Sequence, residues 1–260
     1  MIDERTRVVE ALAEGGCVAP GEEADALLDT SRGGLGTIDE LVARRLRGEP
    51  LAWITGWAVF CGLRVRVDRG VFVPRPHTEG LARRAADALP DTGTAVDLCT
   101  GSGAVAAVMR AAHPDADVFA TDDDPKAIAC ARGNGVRALE GDLDAPLSPS
   151  LRGRVDVVTA VVPYVPSEEL HLLPRDVLAN EPPRALDGGP AGTVVLAGAV
   201  RAAARLLAAG GVALLELGGD QSEPVAAMLA RAGLHPIRVL CDGDGRERGI
   251  EARRTPVRGA

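Results

Sequence analysis

The stretch Thr94-Ala-Val-Asp-Leu-Cys-Thr-Gly-Ser-Gly-Ala-Val-Ala106 brings a carboxylate and two glycines to the end of an apolar run. A buried strand, a tight turn and a helix in that order make a nucleotide-sized crevice at the strand's C-terminal end. Gly101 and Gly103 let backbone approach a ligand closely, because no Cβ stands in the way. Asp97 adds a negative charge to the turn that also holds Cys99 and Thr100. A pyrophosphate wants a helix N-terminus without a carboxylate beside it. The ligand favoured by this turn is therefore cationic. An ordinary strand–helix turn is the plain alternative.

Three further groups fall at expected strand ends. Asp122 follows the next apolar run, where an acidic residue accepts hydrogen bonds from ribose hydroxyls. Asp123 and Asp124 come directly after it, so the role could slip by a residue, and Asp124 also suits the N-cap of a helix that begins at Pro125. Asp142, in Gly141-Asp-Leu143, could accept from an adenine amino group or simply be a turn carboxylate. The run Asp156-Val-Val-Thr-Ala-Val-Val-Pro-Tyr164 carries an apolar strand straight into Pro163 and the chain's single tyrosine. Proline donates no backbone hydrogen bond, which leaves neighbouring carbonyls such as that of Val162 free to accept from a substrate amine.

The elements that must position these residues alternate. Strands are expected at Val96–Cys99, Asp117–Thr121, Val136–Leu139, Val155–Val162 and Val212–Leu217. Helices are expected at Ala104–Ala112, Pro125–Arg132, Thr193–Ala209 and Gln221–Ala232. That alternation means an α/β fold with a mostly parallel sheet covered on both faces. His235–Cys241 and Arg248–Arg253 read as two terminal strands, joined antiparallel through Asp242-Gly-Asp-Gly245. Upstream, helical patterns cover residues 5–29, broken at Gly15-Gly16 and Pro20-Gly21, and Ile38–Arg47. Residues 51–73, rich in β-branched and aromatic side chains, read as short strands joined at Cys61-Gly62.

Composition narrows the functional classes. The chain has 260 residues, 46% of them hydrophobic, and a net charge of −8, enough for one α/β domain with a small accessory segment. The acidic balance and lack of a basic stripe argue against DNA as a partner. No apolar run approaches the roughly 20 residues of a membrane span, and Met1 to Arg7 carries charges without an apolar core of the secretory type. Cys17, Cys61, Cys99, Cys130 and Cys241 are unclustered, which fits reduced thiols in a cytoplasmic protein and no disulfide framework. No metal-ligand spacing links them to the histidines.

Five segments then resemble, in order and spacing, the HemK/PrmC family of protein-(glutamine-N5) methyltransferases. They are Gly48-Glu-Pro-Leu-Ala-Trp-Ile-Thr-Gly56, Val73-Pro-Arg-Pro-His-Thr-Glu79, Asp97 to Gly103, Asn180-Glu-Pro-Pro-Arg-Ala-Leu-Asp-Gly-Gly189 and Leu215-Glu-Leu-Gly218. The likeness spans about residues 48 to 254. It implies a class I S-adenosylmethionine-dependent fold, a Rossmann-like seven-stranded sheet with a small N-terminal helical domain. The corresponding division is a helical domain at 1–48, a β-hairpin linker at 49–75 and a cofactor domain at 76–260. S-adenosyl-L-methionine is the implied cofactor. Asp97, Cys99, Thr100, Gly101, Gly103, Asp122, Asp123, Asp142 and Leu143 are expected around it, with Thr78 and Glu79 near its methionine end. Val162, Pro163 and Tyr164 are expected at the reacting centre.

Two departures stand out. Cys99 replaces the first glycine of the family's D-L-G-T-G-S-G loop. More seriously, the family's N-P-P-Y loop reads Val161-Val-Pro-Tyr164 here, and a valine side chain can neither donate nor accept. Three functions therefore compete. The first is methylation of a glutamine, or a related amide or amine, in a translation protein such as a release factor. The second is methylation of another acceptor, a small molecule or a peptide. The third is cofactor binding without catalysis, which the retained Asp97, Gly101, Gly103, Asp122 and Pro163-Tyr164 oppose.

Overall fold

A computed structural model describes residues 3–255, so residues 1–2 and 256–260, the outer limits of the expected domains, lie outside the described residues. The chain opens with three helices, α1 (Glu4–Glu14), α2 (Pro20–Arg32) and α3 (Ile38–Leu46). Asp3 caps α1 through the Thr6 N–H, and Thr37 and Glu40 form a reciprocal capping box on α3. Val8, Leu12, Leu27, Leu28 and Leu41 meet in a small core of their own. The Arg45–Glu23 and Arg44–Glu49 ion pairs, both largely buried, tie the ends of these helices together.

Residues 51–73 differ in part from the strands expected there. Leu51–Thr55 is a single helical turn, α4, started by Pro50 and stopped by Gly56 at φ 82°. The Trp53 indole N–H donates to the Val71 carbonyl at 2.9 Å, which requires Trp53 to turn inward rather than alternate. Strands β1 (Trp57–Phe60) and β2 (Leu63–Arg66) form a hairpin on a two-residue turn with Cys61 and Gly62 both at positive φ. Residues 71–73 form no strand; they run alongside as an extended linker that ends in a one-turn 3-10 segment, Pro76–Thr78.

The remainder is a seven-stranded sheet with helices on both faces. In chain order its elements are α5 (Glu79–Ala88), β3 (Thr94–Leu98), α6 (Ala104–Ala112), β4 (Asp117–Asp122), α7 (Pro125–Gly133), β5 (Arg137–Glu140), β6 (Val155–Ala160), α8 (Arg175–Asn180), α9 (Val194–Leu206), β7 (Leu207–Glu216), α10 (Ser222–Arg231), β8 (Leu234–Cys241) and β9 (Glu247–Arg254). The strand order is β5-β4-β3-β6-β7-β9-β8, and β9 alone runs against the rest. The chain leaves β3 toward β4 on one side and returns to β6 on the other, so β3 and β6 flank the topological switch point.

Alternation along each strand feeds two cores. Ala95 and Val157 face α5 and α6, whereas Val96, Leu98 and Val158 face α9 and α10. Helix α5 is invisible to a search for large apolar residues because its buried face is Leu81, Ala82, Ala85 and Ala86. Helix α9 stops at Leu206, three residues before its expected end. Its last carbonyls take the Gly153 and Arg154 N–H groups, so the chain turns early into β7.

Asn134, just beyond α7, is the cross-tie between hairpin and sheet. Its Oδ1 accepts the Arg66 N–H at 2.8 Å, and its Nδ2 donates to the carbonyls of Arg66 at 2.9 Å and Ser102 at 2.8 Å. Asn134→Asp removes both donors and aims a carboxylate at two carbonyl oxygens. We expect it to cost about 1–3 kcal/mol of folding stability, seen as a lowered urea midpoint with an unchanged slope; a midpoint equal to the wild type's would show that these bonds do not hold the hairpin.

Candidate active site

One cavity of about 400 Å³ opens over the switch point. Its walls are the loops that follow β3, β4, β5 and β6, together with the linker before α5 and the segment around α8. Cys99, Thr100, Gly101, Asp122, Asp123, Asp142, Leu143, Val162, Pro163, Tyr164 and Thr78 all line it. The sheet thus brings together eleven of the expected residues from five separate segments.

Asp97, Gly103 and Glu79 stand behind that wall. Asp97 pairs in register with Thr159 of the neighbouring strand, and both side chains point into the sheet's α6 side. Its two oxygens accept the Thr100 and Thr159 hydroxyls, each at 2.6 Å, and its residue is 1% exposed. Gly103 begins α6 at φ 81°, where a Cβ would stand 3.0 Å from the Ala131 Cβ; it lets α6 settle against α7. Glu79 turns back to the hairpin, accepts the Cys61 N–H at 3.0 Å and pairs with Arg83.

The wall nearest β4 is acidic. The Asp122 Oδ2 accepts the Gly101 N–H and Oδ1 accepts the Asp124 N–H, both at 2.9 Å. Burial raises the Asp122 carboxyl above its usual range, and those two backbone bonds offset part of that rise. Arg184 reaches across from the far wall, with Nη2 3.0 Å from Asp123 Oδ1. Cys99 holds φ 54°, a left-handed conformation unusual for a residue with a Cβ, and burial followed by the charge of Asp122 raises its thiol's pKa.

The opposite end of the cavity is built on Pro163 and Tyr164. The Tyr164 ring lies flat on Gly218, where a Cβ would fall 2.3 Å from its Cδ2. Gln221, the chain's single glutamine, accepts the Gly218 N–H at 3.0 Å and donates to the Tyr164 carbonyl at 2.9 Å. Glu216, at the end of β7, is 1% exposed and accepts the Thr78 hydroxyl at 2.6 Å. Burial, then the Glu216 charge, pushes the Tyr164 phenol above its ordinary value. Arg75 pairs with the buried Glu181 at 2.5 Å and stacks on Phe72.

Sequence reasoning missed Glu216, Gln221, Phe72, His77 and Arg184. Glu216 had a signal, an acid closing an otherwise apolar strand. His77 sat inside a recognised segment. Gln221 had none, because its role depends on a loop packing that no local pattern encodes.

The strand order, the single reversed strand and a cavity over the switch point define a class I S-adenosylmethionine-dependent methyltransferase fold. A methyltransferase from Pyrococcus furiosus shares the architecture, with a TM-score of 0.56 at 20% identity over 82% of this chain and 98% of that one. No protein-family model matches the sequence. Curated relatives do. A release factor glutamine methyltransferase of Mycolicibacterium smegmatis is 37% identical over 94% of each chain. One of Geobacter sulfurreducens is 35% identical over 82% of this chain and 76% of its own length, and one of Streptomyces coelicolor 34% identical over 86% and 87%. The chain belongs to the family of release factor glutamine methyltransferases. Among the described residues no helix is long and apolar enough to cross a membrane.

The burial of Asp97 has a consequence for stability. Burial pushes its carboxyl up to about 6 from 3.8, against the pull of its two threonine hydroxyls. A carboxyl whose folded pKa is raised stabilises the fold below its unfolded pKa and loses that contribution as pH climbs through the folded one. The shift corresponds to about 3 kcal/mol. We expect the stability of the wild type relative to Asp97→Asn to fall by that order between pH 4 and pH 7, measured by urea unfolding. A difference that stays flat over this range would mean that Asp97 is ionised in the fold at no cost.

Proposed function

We propose that this chain transfers a methyl group from S-adenosyl-L-methionine to the side-chain amide nitrogen of a glutamine in a release factor. The observation that carries this is the union of two ends in one cavity: the Cys99–Gly101 turn with Asp122, Asp123 and Asp142 at one, and Val162-Pro163-Tyr164 at the other. The family supports the same acceptor, since the curated relatives are named for it.

The cofactor end has the chemistry the group requires. Asp122 spends one lone pair of each oxygen on a backbone N–H, which leaves acceptor capacity for ribose hydroxyls. A Cβ at Gly101 would meet nothing within 4 Å, so that stretch of backbone faces open space. Asp142 and Leu143 are suited to the adenine, and Asp123 to the ribose or the cavity rim. Thr78 is suited to the methionine end. Asp97, Gly103 and Glu79 serve by holding the turn, the helix and the hairpin that frame the cavity. When bound, S-adenosylmethionine supplies a methyl group on a cationic sulfur.

The chain's own task is alignment, because displacement at such a methyl group gains chiefly from orientation. The Val162 carbonyl and the Tyr164 ring form the wall against which an acceptor nitrogen would be held. Residues 1–48 are suited to be a docking domain for the protein substrate, 49–75 the linker and 76–260 the cofactor domain. A release factor as substrate also places the enzyme in the cytoplasm.

A second acceptor class is favoured by one observation. Val161 lines the cavity with carbon alone. A glutamine amide has two donors and an acceptor to pair, and an acceptor with fewer polar demands would fit such a wall better.

Two measurements check these readings. Calorimetry with S-adenosylhomocysteine should show Asp122→Ala binding more weakly by about 1–3 kcal/mol; a wild-type protein that binds neither this product nor the methyl donor removes the cofactor reading. Tritiated-methyl incorporation into an intact release factor, compared with its glutamine→alanine form, tests the acceptor. Label confined to the glutamine-bearing form is expected. Cofactor binding with no label on either form would favour the second class.

A further inference from the structure

We propose that His77 is the side chain that grips the acceptor amide in this chain, supplying the polar contact that Val161 cannot. This rests on the glutamine reading above. His77 sits in the 3-10 turn between linker and α5, and it lines the same cavity as Val161, Pro163 and Tyr164. Its Nε2 lies 3.4 Å from Glu216 Oε1, while Glu216 Oε2 takes the Thr78 hydroxyl. Tyr164 flanks the same carboxylate and is raised partly by its charge. One buried carboxylate therefore sets the imidazole beside the tyrosine of the acceptor wall.

The tautomer follows from that partner. Glu216 offers only lone pairs, so it favours the ring N–H on Nε2, the nitrogen 3.4 Å from it, and that arrangement leaves the Nδ1 lone pair for a substrate. No hydrogen bond to the His77 ring occurs among the described residues, and its side chain is 29% exposed. An amide NH2 needs such a lone pair, because the Val162 carbonyl can take only one of its two hydrogens.

The neighbouring polar groups are committed or of the wrong kind. Thr78 is spent on Glu216, and Arg75, paired with Glu181, has no lone pair to offer. Asp122, Asp123 and Asp142 stand at the cofactor end, on the loops after β4 and β5. Beside the Val162 carbonyl, His77 offers the second acceptor at the Pro163-Tyr164 end.

The test compares His77→Gln and His77→Met, side chains of similar reach of which only the first keeps a lone-pair oxygen. Each is made in the wild type and in Val161→Asn, with a release factor as acceptor and S-adenosylhomocysteine affinity by calorimetry as the check on a folded cavity. With His77→Met we expect kcat to fall roughly tenfold to a hundredfold, the worth of one hydrogen bond, with cofactor affinity and the release-factor KM little changed. His77→Gln should stay within about tenfold of wild type. Val161→Asn should restore most of the activity lost in His77→Met. His77→Met at the wild-type rate, or a loss that neither His77→Gln nor Val161→Asn relieves, overturns the assignment. A wild type that binds cofactor yet leaves the glutamine unlabelled sinks the proposed function and this role with it, a result plainly different from an active wild type indifferent to residue 77.

Discussion

The architecture of the site depends on the buried carboxylate of Asp97. It sits at the switch point, where a chain that has been building the sheet in one direction begins to build it in the other. Its two oxygens reach two different elements: the hydroxyl of Thr159 on β6 and the hydroxyl of Thr100 in the turn that leads to α6. Both bonds are short, and both lie where no water competes. A carboxylate in that place is expensive to ionise, and the structure keeps it because no neutral side chain of the same length offers two equivalent acceptors to two hydroxyls. The turn is thereby fixed relative to the strand that leads into Pro163 and Tyr164. The two ends of the cavity are set by one group that does not itself line it.

A second buried carboxylate repeats the device one strand further on. Glu216 closes β7 and ties it, through Thr78 and His77, to the linker that arrives from the hairpin. Gln221 then fastens the end of β7 to the Tyr164 carbonyl. The linker reaches outward as well, since Arg75 pairs with Glu181, and the preceding residue, Asn180, donates to the Gly48 carbonyl at the root of the helical segment. The N-terminal segment and the linker are thus joined through Gly48, Asn180 and Glu181.

Much of this was legible in the sequence, for a physical reason. The strand and helix patterns of the sheet domain are local, and Ala104–Ala112 is found with the expected bounds. The cavity-lining loops follow strands, so a residue just past an apolar run falls at the sheet's C-terminal edge by construction. What was not legible depends on direction rather than position. Asp97 and Glu79 occupy the expected segments but point away from the cavity, because strand alternation aims one beneath α6 and the Cys61 turn draws the other to the hairpin. Trp53 was read as strand, although Pro50 and Gly56 bracket a helical turn of five residues, too short for any periodicity to register. Gln221 is the extreme case: its four partners, residues 164, 191, 192 and 218, come from three separate stretches of the chain.

The two departures from the family loops differ in kind, and the difference follows from which atoms bear the load. At the cofactor turn the contacts on either side of Cys99 do not involve a side chain at residue 99. The Thr100 N–H donates to the Thr121 carbonyl and the Gly101 N–H to Asp122, so Cys99 can replace a glycine provided the chain accepts φ 54° there. The burden is conformational and confined to one residue. At the acceptor wall the burden falls on a side chain, and no backbone rearrangement returns to Val161 a lone pair that valine lacks. Substitution there must be answered by another side chain or by another acceptor. The substitution at Cys99 is thus absorbed within one residue, whereas the one at Val161 has to be answered elsewhere in the wall.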